Sequence, residues 1–377
     1  MKFLHLSDLH LGKRVNEYSM IEDQKYILKQ ILDISDREKP DAVLIAGDVY
    51  DKSVPTAEAV EVLDWFLCAL SERRYHVFVI SGNHDSPERL AFGGKLLDFS
   101  GVHLSPVYHG EVLPISLDDQ FGTVNIYMLP FVKPAHIKRF FPDSQIETYT
   151  QAIQVAIENM YVDTKERNVL LSHQFVTGAV RCESEEISVG GMDNVDAAAF
   201  EIFDYVALGH IHGPQNVVQN KIRYCGTPLK YSFSEVSHRK SVTVVELEEK
   251  GTVNVRTEEL TPMHDMVEVR GLFHEVMRRD EQPFDYLAYL HVILTDEEDI
   301  PEAVGRLRAI YPNLMKISYD NTRTRENKLV GTVENVKSKS PLQLYEELYI
   351  KQNNQPLSDT QRMFMQEMIA SIWEDEA

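Results

Sequence analysis

The chain has 377 residues, 43% of them hydrophobic, which is enough for a sizeable core and for two or three domains. Its 59 acidic residues outnumber its 38 basic ones and leave a net charge of −21, a balance that argues against a protein gripping a polyanion with its whole surface. No apolar run approaches the roughly 18 residues of a membrane span. The opening "MKFLHLSDLH" lacks the apolar stretch and cleavage site of a signal peptide, and Cys68, Cys182 and Cys225 are scattered without a CxxC pair. A reduced, cytoplasmic protein with no membrane association is expected.

The first 260 or so residues alternate strand-like and helix-like segments. "MKFLHLS" is a short apolar strand bounded by Asp and His. A helical pattern follows from Met20 to about Glu38, with Ile27, Leu28, Ile31 and Leu32 at helical spacing. "DAVLIAG" (41–47) reads as a strand buried on both faces, 56–74 as a helix, and "HVFVISG" (76–82) as the next strand. Short strands with Gly and Pro breaks occupy 100–130, a helix is expected over 148–162, and "NVLLSH" (168–173) and "YVALGHIH" (205–212) are again buried-type strands. The segment 215–260 reads as hairpins, one turning at Lys250-Gly251. Two facing sheets result, with the loops at the strand ends on one side. From residue 262 a compact βαβαβ unit follows, its second helix expected from Pro301 to Tyr311, and the tail from 341 turns helical. The expected division is 1–261 for the main domain, 262–325 for a small α/β domain, 326–340 for a linker and 341–377 for terminal helices.

The chemistry sits at the strand ends. The first strand ends in Asp8-Leu9-His10, the second in "GDVYD" with Asp48 and Asp51, and the third in "GNHD" with Asn83 and His84. The fourth ends in His173 and the fifth in "GHIH" with His210 and His212. Each motif alone is compatible with an ordinary turn or a hydrogen-bonded histidine. Ligands of α/β sheets bind beyond the carboxyl ends of the strands, so all five fall on one rim. Gathering carboxylates and imidazoles there without cations would cost heavily in repulsion and desolvation. Asp8, His10, Asp48, Asn83, His173, His210 and His212 are too many donors for one four-coordinate ion, but they fit two ions sharing a carboxylate. Oxygen and imidazole donors without thiolates suit Mn²⁺, Fe or Zn²⁺, and a pair of such ions suits phosphoryl displacement. His84 is placed by type to protonate a leaving alkoxide, or else to hydrogen-bond a phosphate, and the Asp51 carboxylate is expected to orient it. Asp85 is expected to cap the turn at Ser86-Pro87.

D-x-H, GD-x-x-D, GNHD, a histidine after an apolar strand and GH-x-H, in this order, resemble the calcineurin-like metallophosphoesterase superfamily. "GDVYDKSVPTAEAV", "SGNHDSPERL" and "YCGTPLKYSFSE" narrow the resemblance to the Mre-type DNA repair nucleases, over nearly the whole chain. That resemblance implies a four-layered α/β sandwich of two mixed sheets flanked by helices, with a small capping domain and C-terminal helices. It implies two metals, usually Mn²⁺ with Mg²⁺, Fe or Zn²⁺ as alternatives. Asp8, His10, Asp48 and His212 would hold one ion, and Asp48, Asn83, His173 and His210 the other. It assigns catalysis to His84 supported by Asp51. It also implies cleavage of DNA phosphodiesters, 3′-to-5′ on duplex ends and endonucleolytically on single strands and hairpins, together with the coiled-coil ATPase SbcC. A homodimer within a heterotetramer is a further expectation. The terminal helices, with Leu342, Leu344, Leu348 and Ile350 and then Met363, Met365, Met368, Ile369 and Trp373 in apolar stripes, are expected to dock on that ATPase. Lys13, Arg14, Lys52, Arg89, Lys133, Arg181 and Lys230 lie near the motifs and are candidates for phosphate contacts. The competing functions are a phosphomonoesterase or cyclic phosphodiesterase for small substrates, which would need neither small domain nor docking tail, and a non-enzymatic DNA-end tether, which would have no use for His84.

Overall fold

The computed structural model describes residues 1–182, 193–322, 324, 341–353 and 356–374. It divides into two compact units, Met1–Met266 and Val267–Ala377. The expected linker at 326–340 lies outside the described residues.

In the first unit the chain runs through β1 (Lys2–Leu6), α1 (Ile21–Glu38), β2 (Ala42–Ala46), α2 (Ala57–Glu72), β3 (His76–Ile80) and β4 (Val102–Leu104). It continues through β5 (Ile115–Asp119), β6 (Gly122–Leu129), α3 (Tyr149–Glu158), β7 (Arg167–His173), β8 (Tyr205–Gly209), β9 (Gln215–Val218) and β10 (Ile222–Tyr224), and closes with β11 (Ser241–Leu247) and β12 (Val253–Glu259). Two mixed sheets form among the described residues, in the orders β12-β11-β1-β2-β3-β4 and β9-β10-β8-β7-β6-β5. Strands β1 to β4 are mutually parallel, and β11 joins β1 antiparallel. In the second sheet β6, β7, β8 and β10 are parallel, with β5 and β9 antiparallel at the edges.

The period-two geometry of strands decides the layers. Phe3, Ala42, Leu44, Phe78 and Ile80 of the first sheet meet Ile126, Met128, Val169, Leu171 and Ala207 of the second in one buried cluster. Residues of the opposite parity, such as Leu4, Val43 and Val79, are also fully buried, on the face that carries the helices. On the second sheet, Leu129, Leu170, Val206 and Leu208 cluster with Ile153 and Ile157 of α3. The result is helix, sheet, sheet, helix, the four-layered arrangement that the family resemblance implies. Thr56 caps α2 by accepting from Ala59 N at 3.3 Å, and Thr148 with Gln151 forms a capping box at α3. α3 ends at Glu158, short of the expected 162, because the Asn159 side chain donates back to the Val155 carbonyl at 2.8 Å.

In the second unit β13 (Met266–Gly271), β14 (Tyr289–Leu294) and β15 (Leu314–Tyr319) form a three-stranded sheet in chain order, its core built on Phe273, Leu290, Val292, Leu307 and Tyr311. The βαβαβ pattern holds, but its helices are shorter than the periodicity suggests. The first is one turn, Phe273–Val276, because the Tyr311 hydroxyl donates to the Val276 carbonyl at 2.7 Å and satisfies the end. The second, α4 (Ala303–Arg308), starts late because Glu302 sits in the left-handed region at φ 56°. The tail adds α5 (Pro341–Asn353) and α6 (Asp359–Glu374).

Candidate metal centre

Three loops after β1, β2 and β3 and two after β7 and β8 meet at one edge of the paired sheets. The Asp8 and His10 amides donate to the Gly47 and Asp48 carbonyls at 3.0 and 2.9 Å, and Leu11 N donates to Val49 O at 2.9 Å, which zips the first two loops together. The second sheet reaches across: His173 Nδ1 lies 2.8 Å from the Ala46 carbonyl, and His210 N donates to the Asp8 carboxylate at 3.0 Å. Asp8, His10, Asp48 and His210 all hold positive φ, at 52°, 44°, 47° and 103°. Non-glycine residues in that region carry strain of about 1–3 kcal/mol each, and such residues concentrate at functional sites.

Side-chain donors converge in overlapping groups, one of which, His10, Asp48 and His84, brings the His84 ring within reach of the same carboxylate. Asp8, His10 and His212 place one ligand atom each within mutual reach, and His10 Nε2 and His212 Nε2 stand 3.3 Å apart. Asp8, Asp48 and His173 form a second such set. Asn83 Oδ1 lies 3.0 Å from both His173 Nε2 and His210 Nδ1. Asp48 Oδ2 lies 3.4 Å from His173 Nε2 and 3.7 Å from His10 Nε2, so it sits between the groups. The seven residues singled out by their motifs are thus brought together, with Asp48 central. All but the half-buried Asn83 are buried. Nitrogen and oxygen donors facing one another this closely, with no thiolate among them, fit two divalent cations.

The electrostatics show the same convergence. Burial pushes Asp8 up to about 6. Burial acts on Asp48 in the same sense, but the charges of His173, His10 and His84 outweigh it and hold the carboxyl well below its usual range. Burial lowers His10, and together with the His173 charge brings His210 down to about 3. In His173 burial is overcome by the Asp48 carboxylate, which raises the imidazole to about 9. At pH 7 His173 therefore carries a proton on the nitrogen that faces Asp48 and Asn83. His173 would have to give up that proton to hold a divalent cation through this nitrogen. Mn²⁺ uptake at pH 7 is expected to release about one proton, and affinity to strengthen about tenfold per pH unit up to about pH 9. Calorimetry in buffers of different ionisation enthalpy measures the release, and a value near zero would contradict it.

His84 sits half-buried at the mouth, its ring edge-on to His10 with centroids 4.9 Å apart and its Nε2 3.9 Å from Asp48 Oδ2. Its amide donates to Asp48 Oδ1 at 2.9 Å. Two expectations need correction. Nδ1 of His84 donates to the backbone carbonyl of Asp51 at 3.1 Å, not to its carboxylate, which instead accepts from Lys13 Nζ at 2.7 Å. Asp85 does not cap the Ser86-Pro87 turn; the Ser86 hydroxyl does, accepting from Arg89 N at 3.4 Å. The Asp85 carboxylate accepts from Gly82 N, Val49 N and Tyr50 N at 2.9, 3.0 and 2.9 Å, stapling the loop of Asn83 and His84 to the loop of Asp48.

Other contributors lie outside the five metal motifs. Gln24 of α1 donates to the His10 carbonyl at 2.7 Å and accepts from Gly12 N at 3.0 Å, while the Tyr231 hydroxyl donates to Leu9 O at 2.6 Å. Together they splint the D-x-H loop. Glu235 reaches His212 Nδ1 at 3.4 Å. Their sequence signal is slight, since each acts only through tertiary contact. The motif glycines have a steric reason. A Cβ on Gly209 would lie 1.9 Å from the Ala46 carbonyl oxygen, at the crossing of the two sheets. Gly209→Ala is expected to destabilise the fold by about 3 kcal/mol, the upper range for overpacking, and a melting temperature within a degree of wild type would contradict this.

The expected phosphate contacts divide. Lys13 is paired with Asp51, Arg181 with Asp193 at 2.8 Å and Lys230 with Asp265 at 2.8 Å, and Arg14 bonds the Glu17 carbonyl. Lys52, Arg89 and Lys133 expose their side chains.

The fold and the donor set define a metal-dependent phosphoesterase: the chain belongs to the calcineurin-like phosphoesterase family, whose model matches residues 1–214. Residues 262–353 match a second model, described as the type 5 capsule protein repressor C-terminal domain. Along its whole length the chain is similar to the SbcD subunit of the SbcCD nuclease of Staphylococcus epidermidis, with 32% identity over 380 residues covering 100% of both chains. Looser overlays, each at a TM-score below 0.4, include a dimetal phosphatase from Danio rerio (TM-score 0.39, 12% identity, 70% of this chain and 98% of that one) and an archaeal phosphodiesterase (0.31, 11%, 68% and 100%).

Proposed function

We propose that the chain is the nuclease subunit of an SbcCD-type complex, a two-metal phosphodiesterase that hydrolyses DNA, as an exonuclease on duplex ends and an endonuclease on single strands and hairpins, in repair and recombination. The observation that carries this is the convergence of six further oxygen and nitrogen donors on Asp48, taken with the full-length similarity to a nuclease subunit. Asp8, His10, Asp48 and His212 would hold one Mn²⁺, and Asp48, Asn83, His173 and His210 the other. When bound, the ions supply Lewis acidity and positive charge to the phosphate under attack. Asn83 contributes a neutral oxygen, so no further negative charge meets the incoming phosphate. The Asp51 carbonyl accepts from His84 Nδ1 and so turns Nε2 toward the substrate side. His84 Nε2 then hands its proton to the leaving 3′ or 5′ oxygen. Lys52, Arg89 and Lys133 are the remaining candidates for phosphate contacts.

The rest of the chain fits work on a large substrate with partners. On α5 and α6, Leu348, Ile350, Met363, Phe364 and Met368 expose apolar side chains on an acidic tail. These helices would dock on SbcC, which would supply contact area and positive charge that this chain lacks. Deleting 338–377 should abolish capture of SbcC in a pull-down while sparing Mn²⁺-dependent cleavage of simple substrates; capture by the truncated chain would contradict the assignment. Phe92, Leu96 and Phe99, exposed at 86%, 76% and 91%, support a homodimer through the 91–99 segment, giving a heterotetramer. No described helix is long and apolar enough to cross a membrane, in keeping with a cytoplasmic complex. The function is tested by incubating the purified chain and Mn²⁺ with labelled duplex and with a small phosphomonoester or cyclic nucleotide. DNA cleavage is expected, and turnover of the small ester alone would favour the rival enzyme.

A further inference from the structure

Glu235 and Lys240 are a buried ion pair directly behind His212, outside every motif that carries the metal reading. Glu235 is fully buried and Lys240 nearly so, and Lys240 Nζ donates to Glu235 Oε2 at 2.5 Å. The ammonium also donates to Thr227 Oγ1 at 2.6 Å and to the His212 carbonyl at 3.0 Å, so it holds both ends of the histidine's surroundings. The other oxygen, Oε1, accepts from Tyr231 N at 3.3 Å and faces His212 Nδ1 at 3.4 Å. The far nitrogen of the same ring, Nε2, faces His10 Nε2. Cys182 also comes within ligand reach of His212 and Glu235. However, the carboxylate already balances a buried ammonium and accepts from a backbone amide, so it is poorly disposed to be a ligand itself.

A neutral imidazole offers one donor and one acceptor nitrogen, and a carboxylate behind it selects which is which. We infer that Glu235, backed by Lys240, is a positioning residue for His212: it holds the Nδ1–H tautomer so that Nε2 presents its lone pair to the ion shared with Asp8, His10 and Asp48. This rests on the two-ion reading and adds that the pair acts on one ion and not the other. His173 and His210 face Asn83 at the second position. His173 is oriented there by the Ala46 carbonyl.

The test is Mn²⁺ titration of the metal-stripped full-length chain by calorimetry, with folding checked by circular dichroism. Removing one member of a buried pair strands a charge, so the informative variant is the double replacement E235L/K240M, which removes both charges and keeps the apolar volume. Wild type should bind two equivalents. The double variant should fold, keep one equivalent at wild-type affinity and weaken the other 10–100-fold. E235Q/K240M, which strands no charge and keeps an oxygen that can accept from Nδ1–H, should fall between. Two equivalents at wild-type affinity in both variants would overturn the proposal, as would equal weakening of both ions, the mark of general loosening. Fewer than two equivalents in the wild type would instead bring down the two-ion reading beneath it.

Discussion

Asp48→Asn is expected to strip the protein of both ions and reduce cleavage by about four orders of magnitude or more, the scale of acceleration that a catalytic centre supplies. Asp48 is the carboxylate within reach of both groups, at 3.4 Å from His173 and 3.7 Å from His10. An amide there removes the negative charge that offsets two cations, and with it the charge that holds a proton on His173. The substitution should leave the fold standing, because asparagine keeps an Oδ1 able to accept from His84 N, as Asp48 does at 2.9 Å. Metal content by atomic absorption and cleavage of a labelled duplex measure the two halves of this prediction. A variant that still holds two Mn²⁺ would remove Asp48 from the bridging position.

His84→Gln is expected to act oppositely on the two readouts. Metal content should stay at the wild-type level, because His84 lies at the mouth with Nε2 3.9 Å from Asp48 Oδ2 and is replaceable as a donor. The rate on DNA should fall by about 10²–10⁴-fold, the usual contribution of general acid catalysis. The loss should depend on the leaving group. A DNA alkoxide needs a proton as the bond breaks, whereas a nitrophenolate is stable without one. A nitrophenyl phosphodiester should therefore lose much less than DNA, and the loss should appear in kcat. An equal loss on both substrates, confined to KM, would make His84 a phosphate contact instead.

The legible part of this structure is the part written by local chemistry. β1, β2, β3, β7 and β8 are apolar runs that stop at polar residues, so their ends, and the metal-binding types gathered there, could be read directly. The ends of α1 and α2 fall within two residues of expectation, because apolar periodicity and the Thr56 cap are local signals. The errors fall where a side chain answers to a distant loop. Asp85 reads as the start of a turn beside Ser86 and Pro87, yet its carboxylate is claimed by the amides of Val49 and Tyr50, more than thirty residues away. Asp51 and His84 are correctly near one another, but the carbonyl and not the carboxylate makes the bond. Whether a backbone or a side-chain oxygen faces a histidine depends on loop dihedrals that residue type does not encode. Glu235, which closes the stretch "YCGTPLKYSFSE", and Lys240 belong to none of the five metal motifs and take on meaning only when the loop after β10 folds behind His212. The positive φ values at Asp8, His10, Asp48 and His210 were equally hidden, since none of these is a glycine. They identify the rim as the place where local preference yields to function.

Every role proposed for the site depends on two ions sharing Asp48. Diffraction from crystals of the chain grown with Mn²⁺, recorded at the manganese edge, measures this directly. Two anomalous peaks about 3.5–4 Å apart are expected, one on each side of the Asp48 carboxylate, the first among Asp8, His10 and His212 and the second among Asn83, His173 and His210. A single peak, or peaks that do not share Asp48, would contradict it.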